Sequence, residues 1–236
     1  MTVTAVIVQA RMASTRLPGK ILLQLGGHTV LWHTLTRCAA IDGIDLVCCA
    51  VPDTSENDPV AEEAARSGAI VTRGSEYDVL GRYLNAANEI GADIAMRVTS
   101  DCPVIDPNVC TSVLKARANA KADYACNNMP RRWPLGLDCE AFTISALKRA
   151  ANLALKYSDR EHVTPWLRRD DSIRRSQVAG PDLTLSNHRW TIDFLEDYHF
   201  FQALAGYLPA LHSASFEEIL ATVRAHPDLS ALNAHC

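Results

Sequence analysis

No run in this sequence is apolar for long enough to cross a bilayer as a helix, and there is no excess of positive charge to coat a nucleic acid. The 23 Lys and Arg are outweighed by 27 Asp and Glu, a net charge of -4, so neither nucleic acid nor membrane is an expected partner. The 8 cysteines (Cys38, Cys48, Cys49, Cys102, Cys110, Cys126, Cys139 and Cys236) include no Cys-x-x-Cys pair followed by the histidine pair of a zinc finger, which argues against a zinc site. Adjacent Cys48 and Cys49 fall in an apolar run, where alternation sends them to opposite faces of a sheet as small buried hydrophobes.

Familiar catalytic signatures are missing too. A P-loop needs Gly at position 14 and Ser or Thr at position 21, where this chain has Ser14 and Ile21. No G-x-G-x-x-G follows the first apolar run, and neither G-x-S-x-G nor H-E-x-x-H occurs. No repeat, low-complexity tract or linker divides the sequence, so residues 1–236 are expected to form one domain. The chain enters an apolar run at once, without the basic flank and cleavage site of a secretory leader, and a cytoplasmic location is the expectation.

What is present starts with Thr4-Ala5-Val6-Ile7-Val8, a buried strand by its β-branched run, emptying into the segment Gln9 to Lys20. That segment carries Arg11, Arg16 and Lys20 and is stiffened by Leu17-Pro18-Gly19. Cations crowded at a strand's carboxyl end repel one another, and a polyanion such as a nucleoside triphosphate neutralises them. The alternative is a solvated surface turn.

Downstream, Thr29 is placed to cap a helix with Leu31, Leu35 and Cys38 on one face, and a strand follows over 45–51. Asp58-Pro59 opens a helix with Asp58 as cap; strands over 69–72 and 93–98 flank a helix over 78–90. This βαβαβαβ order predicts an α/β fold, a mainly parallel sheet with helices on both faces. Asp106-Pro107 starts the next helix, and strands are expected over 122–127, 137–143, 173–179 and 188–192. Helices are expected over 145–156, from 159, over 195–208 and over 216–225, with Leu195, Leu204 and Leu208 in the core. Arg168-Arg169-Asp170-Asp171 and Arg174-Arg175 read as a solvated, self-paired face.

Two aspartates follow predicted strands. Asp101, in Thr99-Ser100-Asp101-Cys102-Pro103, is a candidate magnesium ligand or an Asx-turn residue ahead of Pro103. Asp193, after Arg189-Trp190-Thr191-Ile192, is a second candidate ligand or the cap of the next helix. An Arg/Lys loop with one aspartate at each of two strand ends is the equipment for metal-assisted chemistry at a phosphate.

Gln9-Ala10-Arg11, Ser14, Arg16-Leu17-Pro18-Gly19-Lys20 and Ser100-Asp101-Cys102-Pro103 together resemble the cytidylyltransferase family that includes CMP-Kdo synthetase and acylneuraminate cytidylyltransferase. Arg73-Gly74, Asp78-Val79-Leu80, Arg82-Tyr83, Gly136, Asp138, Glu140 and Arg160 to Pro165 resemble its spore coat polysaccharide biosynthesis branch. The resemblance implies a Rossmann-like, GT-A-like fold of the nucleotide-diphospho-sugar transferase type. It also implies transfer of CMP from CTP to an acidic, nonulosonic-acid-like sugar with release of pyrophosphate, Mg2+ as cofactor and a homodimer. Arg11, Lys20 and Asp101 would carry catalysis. Ala10, Ser14, Arg16, Arg73, Thr99 and Ser100 would complete the nucleotide site, and Asp101 and Asp193 would bind the metal. Ser100 stands where the family often has Gly. Arg131, Arg132, Asp138, Glu140, Arg160, Glu161 and His162 fall on the acceptor side, where cations suit a carboxylate and acids suit sugar hydroxyls. His162 is either a general base or a helix residue that positions something. Two other functions stay open: a cytidylyltransferase for a phosphonate or phosphate acceptor, suited to Arg131 and Arg132, and a nucleotide-binding module without turnover.

Overall fold

A computed structural model describes residues 1–236. The strands are β1 (Thr4–Gln9), β2 (Gln24–Leu25), β3 (His28–Thr29), β4 (Leu46–Pro52), β5 (Ile70–Gly74), β6 (Ile94–Thr99), β7 (Tyr124–Cys126), β8 (Glu140–Thr143) and β9 (Arg175–Gln177). The helices are α1 (Val30–Ala39), α2 (Asp58–Arg66), α3 (Val79–Glu89), α4 (Pro107–Asn119), α5 (Ile144–Leu153), α6 (Tyr157–His162), α7 (Pro165–Arg169), α8 (Leu195–Tyr207), α9 (Phe216–Ala225) and α10 (Pro227–Ala231).

The central sheet has seven strands in the order β5-β4-β1-β6-β8-β7-β9. Strands β1, β4, β5 and β6 run parallel, whereas β8 is antiparallel to both β6 and β7. The α/β, Rossmann-like expectation therefore holds. Strand alternation explains the layering: Ala5, Ile7 and Cys48 pack under α3 and α5, while Val6, Val8 and Cys49 pack on the other face with α1, α2 and α4. All eight cysteines are free, and only Cys236 is exposed. A third cluster, built on Trp190, Ile192, Phe200, Phe201 and Leu204, joins α8 to α10 with β2 and the start of α1.

Local signals hold where the capping chemistry is unambiguous. Thr29 accepts from the Trp32 amide at 3.0 Å, and Asp106 accepts from the Asn108 and Val109 amides at 2.8 and 2.9 Å. Asp58 does not cap: α2 already includes it, and its carboxylate pairs with Arg73 at 2.6 Å. The strand expected over 188–192 does not form; only Arg189 bridges, to Leu135. Its apolar signal comes from Trp190 and Ile192 entering the third cluster. The helix expected from 159 is interrupted after His162, and Pro165 opens α7. The hairpin of β2 and β3 and the helix α10 went unanticipated. Leu204 is buried as expected, but Leu195 is 50% exposed.

Candidate active site

After β1 the chain adds β4 and β5 on one side of it, then returns to lay β6 on the other. The carboxyl ends of β1 and β6, where Gln9 lies beside Thr99, are thus the point at which the winding reverses and a crevice opens. A cleft sits there, lined by residues of the 9–21 segment, by Thr99, Ser100 and Asp101, by Val79 and Arg82 of α3, by Glu161 and His162 of α6, and by Asp193.

The opening segment is held by contacts that differ from those of a glycine-rich loop. Oδ1 of the buried Asn57 side chain accepts from the Met12 amide at 2.7 Å, and the Gly19 amide donates to the Met12 carbonyl at 3.1 Å. Gly19 has φ +68°, a left-handed conformation natural only to glycine, and this turns the chain into the 3₁₀ segment Lys20–Leu22. Ile21, standing where a P-loop has its hydroxyl, is 1% exposed and packs into the core cluster with Leu31 and Leu35, next in the chain to Lys20.

Lys20 is the centre of the site. Its ammonium donates to Asp101 Oδ2 at 2.6 Å, to Asp193 Oδ1 at 2.9 Å and to the Ile192 carbonyl at 2.6 Å. Arg16 Nη2 reaches the same Asp193 oxygen at 2.7 Å and lies over the Phe194 ring at 4.8 Å. Burial would lower the Lys20 ammonium, but Asp101 and Asp193 outweigh it and hold it above its ordinary 10.5. Burial would likewise raise Asp193, yet Lys20, Arg16 and Arg189 hold that carboxyl below its ordinary 3.8.

The aspartates meet because their segments are stitched together. The Ile192 amide and the Thr191 hydroxyl both donate to the Asp101 carbonyl, at 2.9 and 3.2 Å. Gly136, at φ +109°, lets this segment pass: a Cβ there would overlap the Trp190 carbonyl. Behind Asp193, Arg189 donates to its second oxygen at 2.9 Å and forks onto fully buried Asp197 at 2.8 and 3.1 Å. Asp197 also accepts from the Asp193 and Phe194 amides and from Asn233, at 2.9, 3.0 and 2.9 Å. Asp193 is therefore a braced cleft residue rather than the cap of α8.

Of the sequence-derived site residues, Ala10, Arg11, Ser14, Arg16, Lys20, Thr99, Ser100, Asp101, Glu161, His162 and Asp193 share the cleft. Others lie outside its lining. Arg73 pairs with Asp58, and Arg131 pairs with Asp138 at 2.7 Å. Arg132 is half-buried, away from the cleft. Arg160 grips Asp78, the residue that caps α3, and so seats α6 against α3. Glu140 is a correction to the acceptor-side expectation. It is 1% exposed, held by Arg97 at 2.8 Å, by Arg168 at 2.7 Å and by the Tyr124 hydroxyl, which leaves no free face for a ligand. Arg168 is correspondingly not part of a solvated face, and Arg169 forks onto buried Asp159; Asp171, Arg174 and Arg175 are exposed as expected, Arg174 pairing with Asp123 at 3.1 Å and Arg175 donating to the Asp170 carbonyl at 2.6 Å. Sequence reasoning missed Asn57, Arg189, Asp197 and Asn233 as supports; only the Asp four residues after Arg189-x-x-x-Asp193 offered a local clue.

A family model described as "Cytidylyltransferase" matches residues 5–218. The "Spore coat polysaccharide biosynthesis protein SpsF" of Bacillus subtilis is 30% identical over 229 residues, 94% of each chain. A "3-deoxy-manno-octulosonate cytidylyltransferase" of Nitrobacter hamburgensis is 37% identical over 129 residues, 52% of this chain and 48% of that protein. Among solved structures, a cytidylyltransferase from Leptospira borgpetersenii superposes with a TM-score of 0.92 at 28% identity, covering 98% of this chain and 97% of that one. The match runs from β1 to the start of α9 and takes in Arg11, Lys20, Asp101 and Asp193: this chain belongs to the cytidylyltransferase family.

Proposed function

We propose that the protein transfers CMP from CTP to an acidic sugar of the nonulosonic-acid kind, releasing pyrophosphate, in the synthesis of a surface polysaccharide. The observation that carries the reading is the convergence of Lys20, Asp101 and Asp193 on the reversal point of the sheet, beside the Arg11 and Arg16 loop. Arg11, Arg16 and Lys20 hold the triphosphate and offset the charge that builds on the non-bridging and leaving oxygens as the acceptor oxygen attacks the α-phosphorus. Asp197, through Arg189, keeps Asp193 from swinging away.

The donor set suits magnesium. Two carboxylates converge on one cation, with no third His, Cys, Asp or Glu to complete a protein cage, and magnesium prefers one or two carboxylates with phosphate oxygens and water in the remaining positions. Asp101 and Asp193 would hold the ion, which supplies Lewis-acid polarisation of a phosphoryl oxygen when bound. Glu161 and His162 line the same cleft and are the residues offered to an acceptor hydroxyl.

The test is pyrophosphate release from CTP, ATP, GTP and UTP against a panel of carboxylated sugars, with product mass read for added CMP. Release that needs CTP, magnesium and one such sugar is expected. CTP-dependent thermal stabilisation with no release from any acceptor would instead mark a nucleotide-binding module.

A further inference from the structure

Arg82 is 2% exposed, lines the cleft, and has no carboxylate within ion-pairing distance. Its Nη1 donates to the carbonyls of Ser75 and Glu76, both neutral acceptors, and its Nε is buried with no acceptor at all. The other deeply buried arginines are not left this way. Arg37 places Nε, Nη1 and Nη2 on the carbonyls of Ile105, Leu211 and Ala214, at 2.6, 3.0 and 2.8 Å. Arg97, largely buried, faces Glu140. A guanidinium offers five donors in a fixed fork, and burying its charge without a counter-charge is costly. Burial, with the nearby charge of Arg11 added, lowers the Arg82 guanidinium below its ordinary value.

Arg11 lines the same cleft, is exposed, and makes no ion pair. The cleft is thus divided. Toward Asp193 the cations are matched by carboxylates; toward α3, Arg11 and Arg82 are unmatched. Arg82 is held there by its carbonyl contacts to the turn after β5, and its stem packs on Gly74 at the end of that strand. This places it over the β4 and β5 half of the sheet, away from β8.

We propose that Arg82, together with Arg11, forms an anion subsite that takes a phosphate group of the nucleotide, completing an arginine that the fold alone leaves uncompensated. The proposal rests on the reading of the cleft as a CTP site. Planar, bidentate recognition of phosphate oxygens is what a guanidinium does better than an ammonium. An acceptor carboxylate has the same chemistry, and the experiment separates the two sources.

Binding of CTP, cytidine and inorganic pyrophosphate is measured by calorimetry, without acceptor, on the parent and on Arg82→Met and Arg82→Lys. Loss of one charge-assisted contact weakens CTP and pyrophosphate by about tenfold or more in Arg82→Met, with cytidine unchanged; Arg82→Lys falls between. Parent-like binding of both phosphates by folded Arg82→Met overturns the proposal, and the CTP reading survives if CTP is still bound. Weakening confined to an added acidic sugar also overturns it, in favour of the acceptor. A parent that binds pyrophosphate through Arg82 but shows no affinity for CTP supports the subsite and removes the nucleotide reading. Should Arg82→Met fail to fold, the buried Nε–H of Arg82, assigned by its absence in Arg82→Lys, is followed by nitrogen-15 NMR in the parent. A shift on adding pyrophosphate supports the subsite, and an unmoved signal overturns it.

Discussion

Glu140 and the Asp101–Asp193 pair are both carboxylate centres clasped by cations, and they lie on neighbouring strands and loops, yet they do opposite things. Glu140 is 1% exposed and closed on all sides by Arg97, Arg168 and Tyr124. The side chains of Lys20, Asp101 and Asp193 are 12%, 22% and 17% exposed, and all face the cleft. Charge pairing alone therefore does not make a site. A sealed cluster cannot exchange partners and ties β6, β8 and α7 together, whereas an open one can trade an ammonium for a phosphate or a metal ion.

The largest effect that would break this contrast is on stability. Removing one partner of a buried pair leaves the others uncompensated, so Glu140→Ala should lose about 3 to 5 kcal/mol in urea unfolding. Turnover per folded molecule should stay near that of the parent. A stable variant with a failed acceptor reaction would put Glu140 back in the site. Lys20→Ala reverses the pattern: the barrier rises by about 2.7 to 4 kcal/mol, read as kcat for pyrophosphate release, while unfolding changes little. Asp197→Asn lies between the two. It weakens the fork under Arg189 and costs about 1 to 3 kcal/mol in stability, and it lowers kcat because Asp193 loses its brace.

The smallest effect is in acid. Burial would raise Glu140, but Arg97 and Arg168 hold it below its ordinary 4.5, and Asp193 is held below 3.8. Carboxyls depressed in the folded state give their stabilisation in full above those ordinary values and lose it as pH falls through the depressed ones. Melting curves from pH 7 downward should show the parent losing stability below about pH 4.5. Glu140→Ala, already without that contribution, should show a shallower fall.

The same contrast explains what the sequence made legible. Apolar runs and the Thr29 and Asp106 caps are local, so the parallel half of the sheet could be read from them. Lys20 and the two aspartates were legible because their residue types and their places after apolar runs both point to phosphate chemistry. Asp193 falls in the cleft although the strand expected before it does not exist, because Trp190 and Ile192 mimic a strand while packing in the third cluster. Glu140 was misread because a carboxylate beside Arg131, Arg132 and Asp138 in sequence gives no sign of its burial. Asn57 under Met12, and Asn233 behind Asp197, act across 45 and 36 residues, and no spacing rule reaches that far. Arg82 belonged to the resemblance but was given no role: a charged residue in an amphipathic helix is ordinarily on the solvent face, and this one is buried.

The central claim is that the open cluster, and not the sealed one, performs the chemistry. Pyrophosphate release from CTP by Asp101→Ala, beside its urea unfolding curve, tests it most directly. The expected result is an unfolding midpoint near that of the parent with turnover reduced by about a hundredfold or more. Release at the parent rate would contradict it.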